Sequence, residues 1–264
     1  MIATSSRLAL VTGSTAGIGF AIAEKLVHRN FDVIINGRTS KRVTRAIEQL
    51  ISGGARPGQL HAAAADVRTV AGVQSIVETY PQVNVLVNNF GMFEPKEFSE
   101  ITDDDWQNIW NANVMSGIRL SRHYFPLMLK ENHGRVIFIS SESAQQIPAD
   151  VIHYGVSKSA QLAVARGMAE LTVKTNVTVN SVLVGPTRSE GMGNIIKQSA
   201  ERIDLTDAES EKLFFEAVRP TSLLKRFLRP EEIGSFVAFL CSEDASAING
   251  AALRADGGVV KTVI

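Results

Sequence analysis

Cysteine is almost missing from this 264-residue chain: Cys241 stands alone. A single thiol excludes an internal disulfide framework and fits a reducing compartment. An excess of either charge is missing as well, since 27 Lys and Arg balance 27 Asp and Glu. No basic tract is offered to a nucleic acid, and no cationic face to an anionic membrane. Long apolar runs are absent. No stretch reaches the length of a membrane span, and the apolar run within MIATSSRLALVTG is too short for a signal-peptide core. A soluble cytoplasmic protein is expected. The 5 histidines, His28, His61, His123, His133 and His153, show no close pair at zinc-ligand spacing, so no metal site is expected. Low-complexity segments, repeats and interdomain linkers are lacking too, and the length suits one large α/β domain over 1–264. A small molecule is the partner these absences leave.

What is present is an alternation. LALVT, DVIIN, the weaker QLHAAAA, VNVLVNN, RVIFIS, VTVNSVLV and ALRA read as strands, with amphipathic helical patterns between them. Near-continuous apolar strands separated by helices predict a parallel sheet of about seven strands, covered on both faces, because parallel neighbours need crossover connections. One segment breaks the rhythm, from Pro186 to Leu224. Long excursions in compact domains are usually lids or linkers. Ile195, Ile196, Leu213, Phe214, Phe215 and Val218 recur at helical spacing, which predicts ordered helices packed over something. A substrate lid carrying Met192, Ile195, Phe214 and Phe215 is expected; an oligomer contact or a small side core is the alternative.

The first strand runs into TGSTAGIG, Thr12 to Gly19, and a helix follows. Glycine at 13, 17 and 19 permits a tight turn, a close approach of backbone to phosphate oxygens, and close helix–strand packing. The helix N-terminus adds unpaired N–H groups and partial positive charge. An NTP-hydrolysing loop would end in Gly-Lys-Ser or Gly-Lys-Thr, whereas Gly19-Phe20-Ala21 stands here. After the second strand, Gly37 occupies the place of the acid that bonds the ribose hydroxyls of NAD, and Arg38 follows with a guanidinium suited to a 2′-phosphate. NADP(H) is therefore the expected cofactor, with NAD possible.

Further along, IHYGVSKSAQLAVARGMAEL sets Tyr154 and Lys158 one helical turn apart. A free phenol titrates near pH 10 and is a poor acid or base at neutrality. A cation roughly 4 to 5 Å away, at an effective dielectric of about 20, favours phenolate by ~3 to 4 kcal/mol, or roughly 2 to 3 pKa units. That reading predicts a lowered Tyr154 pKa and a usable general acid and base. His153, about 100° round the helix, reads as a flanking residue.

These motifs together resemble the short-chain dehydrogenase/reductase family along nearly the whole chain, in its 3-oxoacyl-reductase-like form. The elements carrying the resemblance are TGSTAGIG, Asp66-Val67 after the third strand, Asn88-Asn89-Phe90-Gly91, Asn113 in the next long helix, Ser141 upstream of Tyr154, Lys158, and RFLRPEEIGSFVAFLCSEDASAINGAALRADGG. The resemblance implies a Rossmann-type doubly wound fold and a homotetramer. It also implies that Tyr154 exchanges a proton with a substrate carbonyl or alcohol, while Ser141 hydrogen-bonds the same oxygen. Lys158 would tune the phenol and hold the nicotinamide ribose, and Asn113 would hold a water linking Lys158 to solvent. Gly13, Thr15, Gly17, Ile18, Gly19, Arg38, Asp66, Val67, Asn89 and Gly91 would surround the rest of the cofactor, with Gly185, Thr187 and Ser189 near its carboxamide. Phe90 replaces a usual small residue, Ala16 stands where a basic residue is common, and Val184-Gly185 replaces Pro-Gly. A dinucleotide-binding regulator without chemistry is the competing reading. A methyltransferase would share the glycine turn but leave Ser141, Tyr154 and Lys158 without a role.

Overall fold

A computed structural model of the protein describes residues 7–188 and 206–263. Parallel strands β1 (Leu8–Val11), β2 (Asp32–Gly37), β3 (Leu60–Ala64), β4 (Val85–Asn88), β5 (Gly134–Ser141), β6 (Val177–Val184) and β7 (Ala252–Ala255) form a 7-stranded sheet in the order β3-β2-β1-β4-β5-β6-β7. The expected doubly wound sheet is thus present.

Side-chain alternation explains the layering. Ala9 and Val11, Val33 and Ile35, Val85 and Val87, and Ile137 and Ile139 face one core. Leu10, Ile34, Leu86, Val136 and Phe138 face the other. Successive residues of a strand point to opposite faces, so apolar character at every position needs helices on both sides. The first face is covered by α1 (Gly17–His28), α2 (Ser40–Ser52) and α8 (Pro230–Leu240), and the second by α3 (Val70–Thr79), α5 (Ser116–Lys130) and α6 (Ile152–Ala169). Helices α1 and α8 approach closely at Gly234, where a Cβ would lie 2.7 Å from the Ala21 carbonyl oxygen.

Two features place the site. The order reverses at β1 and β4, whose neighbours β2 and β5 diverge, and the crevice beyond the C-terminal strand ends at such a switch point receives ligands. Helix α4 (Asp103–Trp110) also continues into α5 through a π-helical turn, Asn111–Met115, that holds Asn113. Widened turns of this kind release backbone groups from the regular ladder. Helix α7 (Asp207–Ala217) starts with a capping box: Thr206 accepts from Glu209 N and the Glu209 carboxylate accepts from Thr206 N. Its Phe215 is buried and meets Phe214 and Phe227 in a ring cluster.

Candidate active site

Beyond the C-terminal ends of the strands lie two adjoining cavities, of about 390 and 570 Å³. The smaller is lined by Gly13, Thr15, Gly17, Ile18, Gly19, Gly37, Arg38, Val67 and Asn89, with Phe90 among its walls. Its floor is held by the polar ends of β1, β2 and β4. The Asn36 side chain accepts from Gly13 N at 3.1 Å and donates to the carbonyls of Ala63 and Ala65. Asn89 Nδ2 donates to the Thr12 carbonyl at 2.8 Å, while Thr12 Oγ1 accepts from the N–H groups of Asn89 and Phe90. Gly13 takes φ +63°, and a Cβ on Gly19 would stand 2.5 Å from Asn89 Nδ2. Side chains are thereby kept out of a concavity facing the α1 N-terminus, and the residues present fit an elongated phosphate-bearing dinucleotide.

Phe90 packs against the core on the α3 and α5 face, and its Cα lies 3.2 Å from where a Gly13 Cβ would project. Its backbone stays anchored to Thr12, so the larger side chain leaves the loop tied down. Asp66 holds Arg68: Nε and Nη2 donate to its carboxylate at 2.6 to 3.0 Å, and Arg68 N donates to Oδ1 at 3.0 Å. That guanidinium keeps the Asp66 carboxyl below its ordinary range. The neighbours Ala65 and Val67 line the cavity beside it.

The larger cavity is walled mostly by apolar groups, including Met92, Phe93, Val151, Leu213, Phe214 and Val218. Polar groups gather at one end: Ser141 from the end of β5, Tyr154 and Lys158 from α6, Glu142, and Arg219. Gly185 and Thr187 also line it, the Thr187 hydroxyl donating to the Gly185 carbonyl at 2.9 Å. Ile18, Asn89, Gly91 and Met92 line both cavities, so a dinucleotide in the first would meet a substrate in the second. Ser140, adjacent to Ser141, points away and donates to the Lys158 carbonyl at 2.9 Å, as strand alternation predicts.

A family model described as enoyl-(acyl carrier protein) reductase matches residues 13–260. The chain belongs to the short-chain dehydrogenase/reductase family. Among its relatives, YvaG, an uncharacterized oxidoreductase of Bacillus subtilis, is 46% identical, with 97% of each chain covered. The L-sorbose reductase of Gluconobacter frateurii, solved with NADPH and L-sorbose, superposes with a TM-score of 0.88 at 31% identity over 98% of each chain. The actinorhodin polyketide ketoreductase, solved with NADPH, gives 0.87 at 25% identity over 99% of this chain and 100% of its own. This short-chain dehydrogenase/reductase is accordingly an NAD(P)-dependent oxidoreductase. No helix among its described residues is long and apolar enough to cross a membrane.

The electrostatics of this oxidoreductase differ from the expected lowering of the phenol pKa. Burial pushes Tyr154 up and is the largest effect; a Ser141 hydrogen bond opposes it, followed by a smaller rise from Glu142 and a smaller lowering from Arg219. Burial also pushes Lys158 down to about 7. The Lys158 ammonium lies 5.7 Å from the centre of the phenol ring, and its donors go to the Ile139 carbonyl at 2.8 Å and Gln161 Oε1 at 3.2 Å. Desolvation dominates at both groups, disfavouring the phenolate and the ammonium alike.

Asn113 is fully buried on the π-helical turn. Its side chain accepts from Met92 N at 2.7 Å and donates to the Met92 carbonyl and Ser157 Oγ. Its carbonyl accepts from Gln161 Nε2 at 2.6 Å, so the Gln161 amide spans from Asn113 to Lys158. Sequence reasoning missed Gln161, Arg68, Glu142 and Arg219. Glu142 carried a signal, a carboxylate beside Ser141 at the end of a buried strand; Arg219 carried none, being 77 residues from the Glu142 it contacts. His153 is buried edge-on against Trp106, and burial lowers its pKa. Ser189, Met192, Ile195 and Ile196 lie outside the described residues.

Proposed function

We propose that this chain is an NADP(H)-dependent reductase interconverting a ketone and a secondary alcohol, with Asn113, Ser141, Tyr154 and Lys158 as its catalytic set. The observation that carries the reading is one polar end of an apolar cavity, where Ser141, Tyr154 and Lys158 converge beside a dinucleotide cradle. Bound in that cradle, the nicotinamide supplies the hydride. Tyr154 gives its proton to the carbonyl oxygen in reduction, and its raised pKa keeps that proton in place at neutral pH. Ser141 donates to the same oxygen and orients it. Lys158, titrating near 7, returns a proton toward the phenol, and the Gln161 amide fixes its position from Asn113.

Arg38 at the rim of the cradle, with Gly37 in place of an acid, supports NADP(H) over NAD(H). The NADPH carried by the sorbose reductase and the polyketide ketoreductase agrees with that preference. Helix α7 supplies Leu213 and Phe214 to the cavity wall and serves as part of a substrate lid. The same proposal takes the whole chain as one catalytic domain and, by family resemblance, as a cytoplasmic homotetramer.

Replacing Tyr154 with Phe tests the assignment. Turnover of a carbonyl panel should fall roughly 100-fold or more, while fluorescence titration shows NADPH binding retained. Turnover close to wild type would remove Tyr154 from its role.

A further inference from the structure

Beside the reacting end of the large cavity, the Glu142 side chain is only 6% exposed and makes two contacts. Oε2 accepts from the Ser141 hydroxyl at 2.6 Å, and Oε1 accepts from Arg219 Nε at 2.9 Å. Arg219 arrives from beyond the C-terminal end of α7, its side chain 15% exposed. The pair therefore ties the α7 segment to the serine.

A serine hydroxyl has one proton. Ser141 gives it to Glu142, and its oxygen accepts from Ser143 N at 3.1 Å, with the Tyr154 phenol also hydrogen-bonded to it. If Ser141 is to donate to a substrate carbonyl, that proton must turn away from Glu142. A buried carboxylate oxygen beside Ser141 then lacks its donor, which is unfavourable. The protein has no second donor for Oε2 among the described contacts. A hydroxyl on the substrate, next to its carbonyl, restores the bond.

A second group in the cavity points the same way. Ser210 on α7 lines it, and the buried Ser210 Oγ has no hydrogen-bond partner among the described residues. A plain hydrocarbon chain leaves that hydroxyl unsatisfied, whereas a hydroxylated one satisfies it. The volume, about 570 Å³, is within the ordinary range for a small-molecule site.

We infer that Glu142 selects hydroxyketones, accepting a hydrogen bond from a substrate hydroxyl adjacent to the reacting carbonyl when Ser141 turns toward that carbonyl. This rests on the ketone-reductase reading and names its substrate class. No covalent step beyond that reaction is involved.

The test compares 1-hydroxy-2-hexanone with 1-methoxy-2-hexanone, both with NADPH. Each carries an electron-withdrawing oxygen beside the carbonyl, but only the first carries a donor. Wild-type kcat/KM should favour the hydroxyketone by roughly 10- to 100-fold, the range of a charge-assisted hydrogen bond. In Glu142→Gln the ratio should fall at least about 3-fold, since a neutral amide oxygen accepts less strongly. Calorimetric binding of the two ketones to NADPH-loaded Tyr154→Phe should show the same order without turnover. Equal wild-type rates overturn the inference and leave the reductase reading intact. A wild-type preference that Glu142→Gln preserves also overturns it, by assigning selection to another group. If Glu142→Gln fails to fold, Glu142→Gln combined with Arg219→Gln, which leaves no unpaired buried charge, gives the same reading of the ratio. NADPH oxidation with neither ketone, nor with any other carbonyl, overturns the reductase reading and the inference together.

Discussion

Arg38 lines the dinucleotide cavity with Gly37 and Thr15, and the proposed NADP(H) preference rests on its guanidinium meeting a 2′-phosphate. Arg38→Ala should reduce the NADPH-over-NADH preference in kcat/KM by roughly 10- to 100-fold, the range of a charge-assisted contact. An unchanged preference would move phosphate recognition elsewhere. Residue-scale identity was legible in advance where spacing alone suffices: Tyr154 and Lys158 share a face of α6 because they are one turn apart. Their pKa values were not. The expected lowering of the phenol depended on distance to a full charge, while the actual direction follows burial of both groups, which no local pattern records. Glu142 and Arg219 escaped for a related reason, since their contact crosses 77 residues of chain.

At the scale of elements, the turn from β1 into α1 depends on what glycine leaves empty. A Cβ at Gly19 would stand 2.5 Å from Asn89 Nδ2 and 3.0 Å from the Gly13 carbonyl carbon. Those atoms belong to the hydrogen-bonded junction of β1 and β4, so they have little room to yield. Gly19→Ala should therefore lower stability by about 1 to 3 kcal/mol in urea melts and weaken NADPH binding in the same samples. Full affinity at unchanged stability would show the junction to be more plastic than its bonding implies. Strand positions were legible, even the weak QLHAAAA as β3, because short apolar runs set between helical patterns survive in the linear chain. The π-helical turn at Asn111–Met115 was not. Its sequence continues the helical pattern on either side, and the widening depends on packing against Met92, Ser157 and Gln161.

For the whole molecule, burial of Lys158 makes global stability depend on pH. Its pKa falls from 10.5 to about 7 on folding, so between these values the unfolded chain holds a proton that the folded chain releases. Stability rises with pH wherever the unfolded state binds more protons, by up to about 1.4 kcal/mol per pH unit for one group. The cost is thus fully present below pH about 7 and relieved as pH climbs toward 10.5. Tyr154 has the opposite sign, with a raised pKa, but its effect begins only above the ordinary tyrosine value of 10. Urea melts between pH 7 and 9 should show wild-type stability climbing, and Lys158→Met, which has no proton to lose, should flatten the climb. Parallel slopes for the two proteins would assign the dependence to other groups.

The amino-acid sequence by itself determined the alternation of strands and helices, the glycine turn, and the order in which Ser141, Tyr154 and Lys158 occur. These rest on local periodicity, backbone freedom and helical spacing, which act over a few residues. Tertiary structure alone decided that Gln161 bridges Lys158 to Asn113, that Arg68 binds Asp66 beside the cradle, and that Glu142 holds the Ser141 proton while Arg219 holds Glu142. Desolvation and long-range contact exist only once the sheet has brought distant segments together, and they set the environment of the hydroxyl, phenol and ammonium that line the larger cavity.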